Sequence, residues 1–319
     1  MSLKIFFATD VHGSDRTFRK FVAAGKHYGV NVAILSGDLT GKMIIPIVRE
    51  QDGTHRVDLL GNKMEAKTDK TLKEIIEAIR SNGFYPFIGT LDEIREIDSN
   101  ENKKNEVFLR FQIERLEEWL TISEMHFKGS GVKVFINAGN DDPPVVDEIL
   151  RIADPDVLVN PEDRVVDVGD GHEMISSGLS NPTPWRTPRE TTEDNLTTKI
   201  EEMTSKVKDM KNCIFNLHCP PFYSGLDYAP RLDEQLRPKA GAAGGADMIP
   251  VGSTAVRAAL EKYQPLLGLH GHIHESKAAG EIGRTVCINP GSEYGEGILR
   301  GVVVTLEDKK VKSYYFTSG

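Results

Sequence analysis

Two histidines one residue apart, His272 and His274, follow an apolar run that begins at Pro265 and continues through Leu266, Leu267 and Leu269. Such a run reads as a buried strand. Strand side chains alternate, so both imidazoles are expected to project the same way beyond its end. Neutral imidazole is the commonest metal ligand. Alone, the pair is weak evidence, because acids and amides at strand ends also serve as caps and turn residues. Four other apolar runs, however, end in residues of the same kind: 5–8 in Asp10 and His12, 32–36 in Asp38, 132–138 in Asn140, and 213–217 in His218. Five such ends in one chain are hard to explain as caps. Oxygen and nitrogen donors without thiolate suit Mn²⁺, Fe or Zn²⁺ better than a structural zinc, which favours cysteine. Seven donors are too many for one tetrahedral ion and about right for two ions sharing a carboxylate.

The elements that must position these donors are legible in part. After His12 the chain enters a tight turn at Gly13. A helix follows, capped by Ser14, with Phe18, Phe21, Val22 and Gly25 on its packed face. With the 32–36 strand this makes a parallel βαβ unit, and open α/β sheets carry ligand sites at their strands' C-terminal edge. Residues 42–130 then break the rhythm. Runs 44–48 and 55–60, joined through Asp52-Gly53, predict a hairpin. Leu72, Ile75, Ile76 and Ile79 predict an amphipathic helix ending near Gly83, and Leu109, Ile113, Leu116 and Leu120 line one face of a helix over 105–127. The polar 98–105 stretch predicts a mobile loop between them. Between Asp38 and Asn140 the numbering advances by 102, against 28 between Asp10 and Asp38. Segment 42–130 therefore reads as an insertion into a single domain spanning 1–319, a cap over the site or a partner surface.

Beyond Asn140, short strands are expected at 157–159, 164–168 and 174–176. A helix should carry Leu196, Ile200, Met203, Val207 and Met210 on one face. A Gly/Ala/Pro-rich stretch over 220–252 has no periodicity; its 224–252 part joins two ligand-bearing elements and is expected to border the site as a mobile lid. A helix over 254–263 leads into the strand before His272. Strands at 285–289 and 301–306 follow, and 311–316 returns antiparallel.

Composition narrows the function classes. A net charge of −9 over 319 residues argues against a sequence-indifferent nucleic-acid coat, and is compatible with a small phosphorylated substrate drawn to bound metal. Cys213, Cys219 and Cys287 are odd in number and unpatterned, which fits a reducing interior. No apolar stretch approaches the roughly 20 residues of a membrane span. The first residues are too soon charged for a signal peptide. The expectation is a cytoplasmic protein with no membrane segment.

In their order, Asp10-x-His12, Gly37-Asp38, Gly139-Asn140, His218 and Gly271-His272-x-His274 resemble the motif set of the calcineurin-like metallophosphoesterases, across nearly the whole chain. Segments 252–257, 269–276 and 288–292 are similar to the branch related to cyclic-nucleotide phosphodiesterases. The resemblance implies an α/β fold, an αββα sandwich of two mixed β-sheets flanked by helices, with a dinuclear metal site at strand C-terminal ends. It implies Asp10, His12 and His274 on one ion, Asn140, His218 and His272 on the other, and Asp38 bridging. Manganese is the first expectation for the two divalent transition-metal ions, with iron, zinc or nickel as alternatives. In the implied chemistry a metal-bound hydroxide attacks phosphorus, and two cations roughly 3.5–4 Å apart clamp the attacking and leaving oxygens.

One departure bears on catalysis. The family's motif is Gly-Asn-His followed by an acid, whereas this chain has Gly139-Asn140-Asp141-Asp142. The missing histidine is the family's leaving-group acid. Asp141 in its place is expected to stay ionised beside cations, and so to favour phosphodiesters or activated esters over alkyl monoesters. Asp38, Asn140 and Asp141 are thus the residues expected to touch the chemistry.

The leading expectation is a phosphodiesterase acting on a small substrate. A phosphomonoesterase or nucleotide pyrophosphatase with the same site is the alternative among enzymes. An interaction scaffold with weak or no chemistry is the alternative outside them, disfavoured because every ligand is present. A nuclease is disfavoured because nothing basic runs beside the motifs. Arg257 is a candidate phosphate donor, competing with a role as a solvated helix residue. Trp185 is expected to pack on the sandwich, His270 to be a buried, hydrogen-bonded histidine, and Cys219 to lie in the core.

Overall fold

Strand β1 (Ser2–Thr9) sends Ile5 and Phe7 to one side and Phe6 and Ala8 to the other, and all four are buried. A strand covered on both faces needs a layer on each, and that requirement sets the architecture. The computed structural model describes residues 2–241, 244–307 and 309–319; Ala242 and Ala243 of the Gly/Ala-rich run, and Asp308 of the last turn, lie outside the described residues. Helix α1 (Asp15–His27) covers one face of β1, and the Ser14 side chain caps it by accepting from the Thr17 amide. Strand β2 (Val32–Ser36) then pairs parallel to β1, completing the expected βαβ unit.

The chain next leaves the sheet. Strands β3 (Ile44–Arg49), β4 (His55–Leu59) and β5 (Asn62–Ala66), helix α2 (Asp69–Ser81) and strand β6 (Tyr85–Gly89) make a separate four-stranded sheet in the order β5-β4-β3-β6, with α2 on one face. The β3–β4 hairpin agrees with the sequence pattern; β5 and β6 carry too few alternating apolar residues to be read from it. Helices α3 (Leu91–Asp98) and α4 (Glu101–Phe127) follow almost without interruption. The loop expected over 98–105 is therefore a correction. Asn100 caps α4 by accepting from the Lys103 amide, and Lys103 pairs with Glu96 at 2.6 Å. The first turns of α4 are polar because they need no core, and helical nonetheless because they are capped.

After α4 the chain resumes the first sheet at β7 (Lys133–Asn137), parallel to β2, then α5 (Val145–Arg151) and β8 (Leu158–Val159). The second sheet is built from β9 (Val165–Gly169) and β10 (His172–Ser177); helix α6 (Glu193–Thr204); β11 (Cys213–Leu217); the small hairpin β12 (Tyr228–Pro230) and β13 (Met248–Pro250), which stands apart; helix α7 (Thr254–Tyr263); and β14 (Leu267–Leu269), β15 (Ala278–Ile282) and β16 (Thr285–Asn289). Strands β17 (Arg300–Glu307) and β18 (Lys310–Ser318) return to the first sheet. The sheet orders are β18-β17-β1-β2-β7-β8 and β15-β16-β14-β11-β10-β9.

Between the sheets, Ile5, Phe7, Ile34 and Phe135 meet Met174, Ile214, Leu267 and Ile288. Outside them, α1, α4 and α5 cover one sheet through Phe18, Phe21, Trp119 and Ile149, and α6 and α7 cover the other through Leu196, Ile200, Val256 and Leu260. This is the expected αββα sandwich. Cys219 lies in the core as anticipated. Val207 and Met210 fall beyond the end of α6, so of the five expected residues Leu196, Ile200 and Met203 share its buried face. Trp185 does not pack on the sandwich: it is 62% exposed, in an outer loop held by Thr183, Thr187 and Glu190, where its own amide donates to Thr183 Oγ1.

Helix α4 is bound to α1 by an aromatic pair. Phe18 and Trp119 stack with ring centroids 4.1 Å apart, and Trp119 Nε1 donates to Asp15 Oδ1 at 2.7 Å. Trp119→Ala removes a buried ring and leaves Asp15 short of a donor. It should lower stability by about 3–5 kcal/mol in urea unfolding; a loss below about 1 kcal/mol would show that α4 is not integral to the sandwich.

Candidate metal centre

The donors are brought together by register. Thr9 lies opposite Ser36, and Ser36 opposite Asn137, so three parallel strands end level; Asn216 and Leu269 do the same in the second sheet. The turns just past those ends face one another across the seam of the sandwich. Asp10, His12 and His272 have φ of 53°, 40° and 66°. Side-chain-bearing residues enter this left-handed region at a cost of about 1–3 kcal/mol each, and do so mainly at functional sites. Gly37 (φ 88°) and Gly271 are required at the seam: a Cβ on the first would overlap the His218 ring, and on the second would overlap Thr9 Oγ1.

His272 and His274 do not project alike. β14 ends at Leu269, and the positive φ of His272 turns the chain, so alternation no longer applies. The two rings diverge into two donor sets. In the first, His274 Nε2 lies 3.1 Å from His12 Nε2 and 3.8 Å from Asp10 Oδ1, and one donor atom each from Asp10, His12, Asp38 and His274 falls within 4.8 Å of all the others. In the second, Asn140 Oδ1 lies 2.9 Å from His218 Nε2 and 2.7 Å from His272 Nδ1. Asp38 spans them: Oδ2 is 3.6 Å from His12 Nε2, and Oδ1 is 3.7 Å from His218 Nε2.

Neighbouring groups aim the donors. Thr9 Oγ1 and the His272 amide both donate to Asp10 Oδ2, while the buried Oδ1 has no hydrogen-bond partner among the described residues. Asn140 Nδ2 donates to Thr187 Oγ1 at 2.9 Å, which turns Oδ1 inward. Asp142, buried, accepts from the amides of Leu39, Thr40 and Gly139 and from Thr40 Oγ1. It thereby ties the turn after Asp38 to the turn bearing Asn140. Burial and the charge of Asp38 push Asp142 up to about 6.

Asp141 has a different partner. Its Oδ2 pairs with Lys42 Nζ at 2.7 Å, its amide donates to Asp38 Oδ1, and His12 Nδ1 lies 3.8 Å away. Burial and Asp38 raise its carboxyl above the usual range while Lys42 opposes them. Lys42, Thr187 and Tyr294, whose ring centroid is 4.5 Å from that of His12, lie in no motif and were beyond reach of sequence spacing. Arg257 is not brought to the donors: Nε donates to Glu261 Oε1 at 2.6 Å and Nη1 to the Tyr223 carbonyl. The 224–252 loop is closed at its base by the buried Asp227, which accepts from the amides of Tyr223, Ser224 and Gly252, and Tyr228 N reaches Ser276 Oγ, two residues past His274. His270 is buried, with Nδ1 2.8 Å from the Leu217 carbonyl, as anticipated.

The donor set fits divalent cations. Ligand bonds of about 2.1 Å at right angles place neighbouring donors roughly 3 Å apart, which is the spacing of the closest pairs here. Facing lone pairs on His12 and His274, and on Asn140 and His272, repel unless a cation or proton lies between them. Burial holds His12 well below its ordinary value and His272 down to about 3, leaving both neutral and able to ligate. Burial would lower His218 too, but the Asp38 and Asp10 carboxylates outweigh it and raise it to about 9. Asp38 is held well below the carboxylate range, because His218 and His12 overcome the opposing effect of burial.

No family model matches the chain. Over 130 residues it is 31% identical to an uncharacterized protein of Methanocaldococcus jannaschii; the match covers 40% of this chain and 52% of that one, so the chain spans about half the length of the curated relative it matches. One solved structure covers 100% of this chain and 99% of its own length at 15% identity, with a TM-score of 0.57. The protein TT1561 of Thermus thermophilus covers 100% and 99% at 13% identity, with a TM-score of 0.53. Both share the layered fold of the sandwich over the whole chain, and in this chain an Asp/His group lies at the C-terminal ends of its strands.

With His218 raised to about 9, cations at this site would have to displace a proton from it. Loading at pH 7.5 should release roughly one proton per protein, and affinity should climb with pH until about 9 and then level off. Calorimetry in two buffers of different ionisation enthalpy counts the protons; a count of zero would contradict the assignment of His218.

Proposed function

We propose that the chain hydrolyses a phosphoester, a small phosphodiester first, at a site that holds two divalent transition-metal ions. The observation that carries this is the placement of Asp38, one carboxylate oxygen toward each donor set. Asp10, His12 and His274 would hold one ion, Asn140, His218 and His272 the other, and Asp38 both. When bound, the ions supply Lewis-acid polarisation of phosphoryl oxygens and activation of water. The protein orients the donors through Thr9, Thr187 and Asp142, and burial keeps His12 and His272 neutral. Manganese remains first among the metals, with iron, zinc and nickel accepted by the same donors. Segment 42–130 is read as an insertion within one domain. Three buried free cysteines favour a reducing, cytoplasmic setting, and among the described residues no helix is long and apolar enough to cross a membrane.

Asp38→Asn weakens both ions at once. It should reduce bound metal from two ions to fewer than one and abolish aryl phosphodiester hydrolysis, whereas His274→Ala should keep part of the metal. Elemental analysis beside a turnover assay decides; wild-type protein that takes up a single ion, or an Asp38→Asn variant that keeps two, would overturn the dinuclear assignment.

The choice between diester and monoester turns on Asp141 and Lys42. An acid here repels a doubly charged monoester more than a diester, and Lys42 offsets that charge. Lys42→Ala should therefore lower kcat/KM for an aryl monoester roughly three- to ten-fold more than for an aryl diester. Asp141→His should move the ratio the other way, most of all for alkyl leaving groups, which need a proton donor. Unchanged ratios in both variants, with metals retained, would show that this pair does not select the substrate.

A further inference from the structure

The β5-β4-β3-β6 sheet is closed on one face and incompletely closed on the other. Ile45 and Ile47 of β3 pack against α2, while Ile44 and Pro46 point to the opposite face. There α3 and the start of α4 leave a cavity of about 310 Å³ against the sheet. Ile44, Phe87, Ile97, Val107 and Phe108 give it an apolar wall, and Lys42 is part of its lining. Its acidic residue, Asp98, faces Lys104 at 4.0 Å, so the wall carries no unopposed negative charge. Interiors are ordinarily close-packed, and a hollow of this size, with an apolar wall and a few polar groups (Lys42, Asp98, Lys104 and Asn105), has the character of a small-molecule site.

Lys42 joins this hollow to the donor cluster. The same residue lines the cavity and, through Nζ, pairs with Asp141, whose amide donates to Asp38 Oδ1. At about 30 Å³ per non-hydrogen atom, the cavity holds roughly ten such atoms. That admits one ring or a short branched chain and excludes a peptide or a nucleic-acid strand. A second hollow, beside His274, is lined by Glu275, Lys277, Glu293 and Arg300 among others and suits charged groups instead. We propose that the cavity under α3 receives an apolar organic substituent of the substrate, a single ring or short branched alkyl group, while the phosphoryl group sits at the donor cluster. The proposal rests on the phosphoester reading above and gives that substrate its chemical class.

The test compares p-nitrophenyl methyl phosphate with p-nitrophenyl cyclohexyl phosphate, which share a leaving group, on the metal-loaded full chain. Wild type should prefer the cyclohexyl ester roughly ten- to a hundred-fold in kcat/KM. Ile97→Trp, which fills the cavity, should abolish that preference while leaving the methyl ester's turnover unchanged. Val107→Phe serves the same purpose if the larger substitution does not fold. Equal kcat/KM for the two esters in wild type, or a preference that survives a folded cavity-filling variant, would overturn the cavity assignment alone. No turnover of either ester by protein carrying both metals would instead overturn the phosphoester reading, and the substrate class with it.

Discussion

Everything at the seam of this sandwich answers to one electrostatic constraint: buried lone pairs that face one another. His12 and His274 present nitrogens 3.1 Å apart, and Asn140 and His272 present donors 2.7 Å apart, with Asp10 and Asp38 adding negative charge. A neutral tautomer relieves one contact at a time by donating its single ring N–H, and a cation between the donors would relieve them together. The Asp38 and Asp10 carboxylates outweigh burial and raise His218 to about 9, which favours a proton there, and divalent cations would be the fuller remedy. The left-handed backbone at Asp10, His12 and His272 is the conformational cost of holding donors in this way.

Rigidity for that arrangement comes from an unexpected quarter. The segment between β2 and β7 supplies the braces of two ligand turns. Arg115, buried on α4, binds the Gly13 carbonyl and lies 3.5 Å from Asp15. Gln112 donates to Thr40 Oγ1, and Tyr85 accepts from the Gly41 amide. One cluster of α4 and β6 side chains therefore sets both the turn after His12 and the turn after Asp38. Asp142 extends the same bracing to Asn140.

The sandwich and its donors were legible because strong local signals carry them: two-sided apolar strands, and acids or histidines at their ends. The expected αββα layering and the gathering of all seven donors follow from those signals and the parallel register. What was not legible depends on contacts distant in sequence. Lys42 meets Asp141 across 99 positions of numbering, and nothing near either residue announces it. The divergence of His272 from His274 is a matter of one backbone angle at a residue that looks like a strand continuation. The first turns of α4 read as loop because their stability comes from a cap and an ion pair rather than an apolar face.

The position of β1 has a consequence for how the protein comes into being. This first strand is central, flanked by β2 on one side and by β17 on the other. Synthesis delivers the N-terminal end first, so β1 waits with one edge unpaired until residues 300–307 have been made. His272 and His274 emerge shortly before that strand, and neither donor set is whole until they do. If the site takes metal as proposed, loading would be an event of the nearly finished chain, and the open edge of β1 is what a chaperone or an aggregating neighbour meets in the meantime.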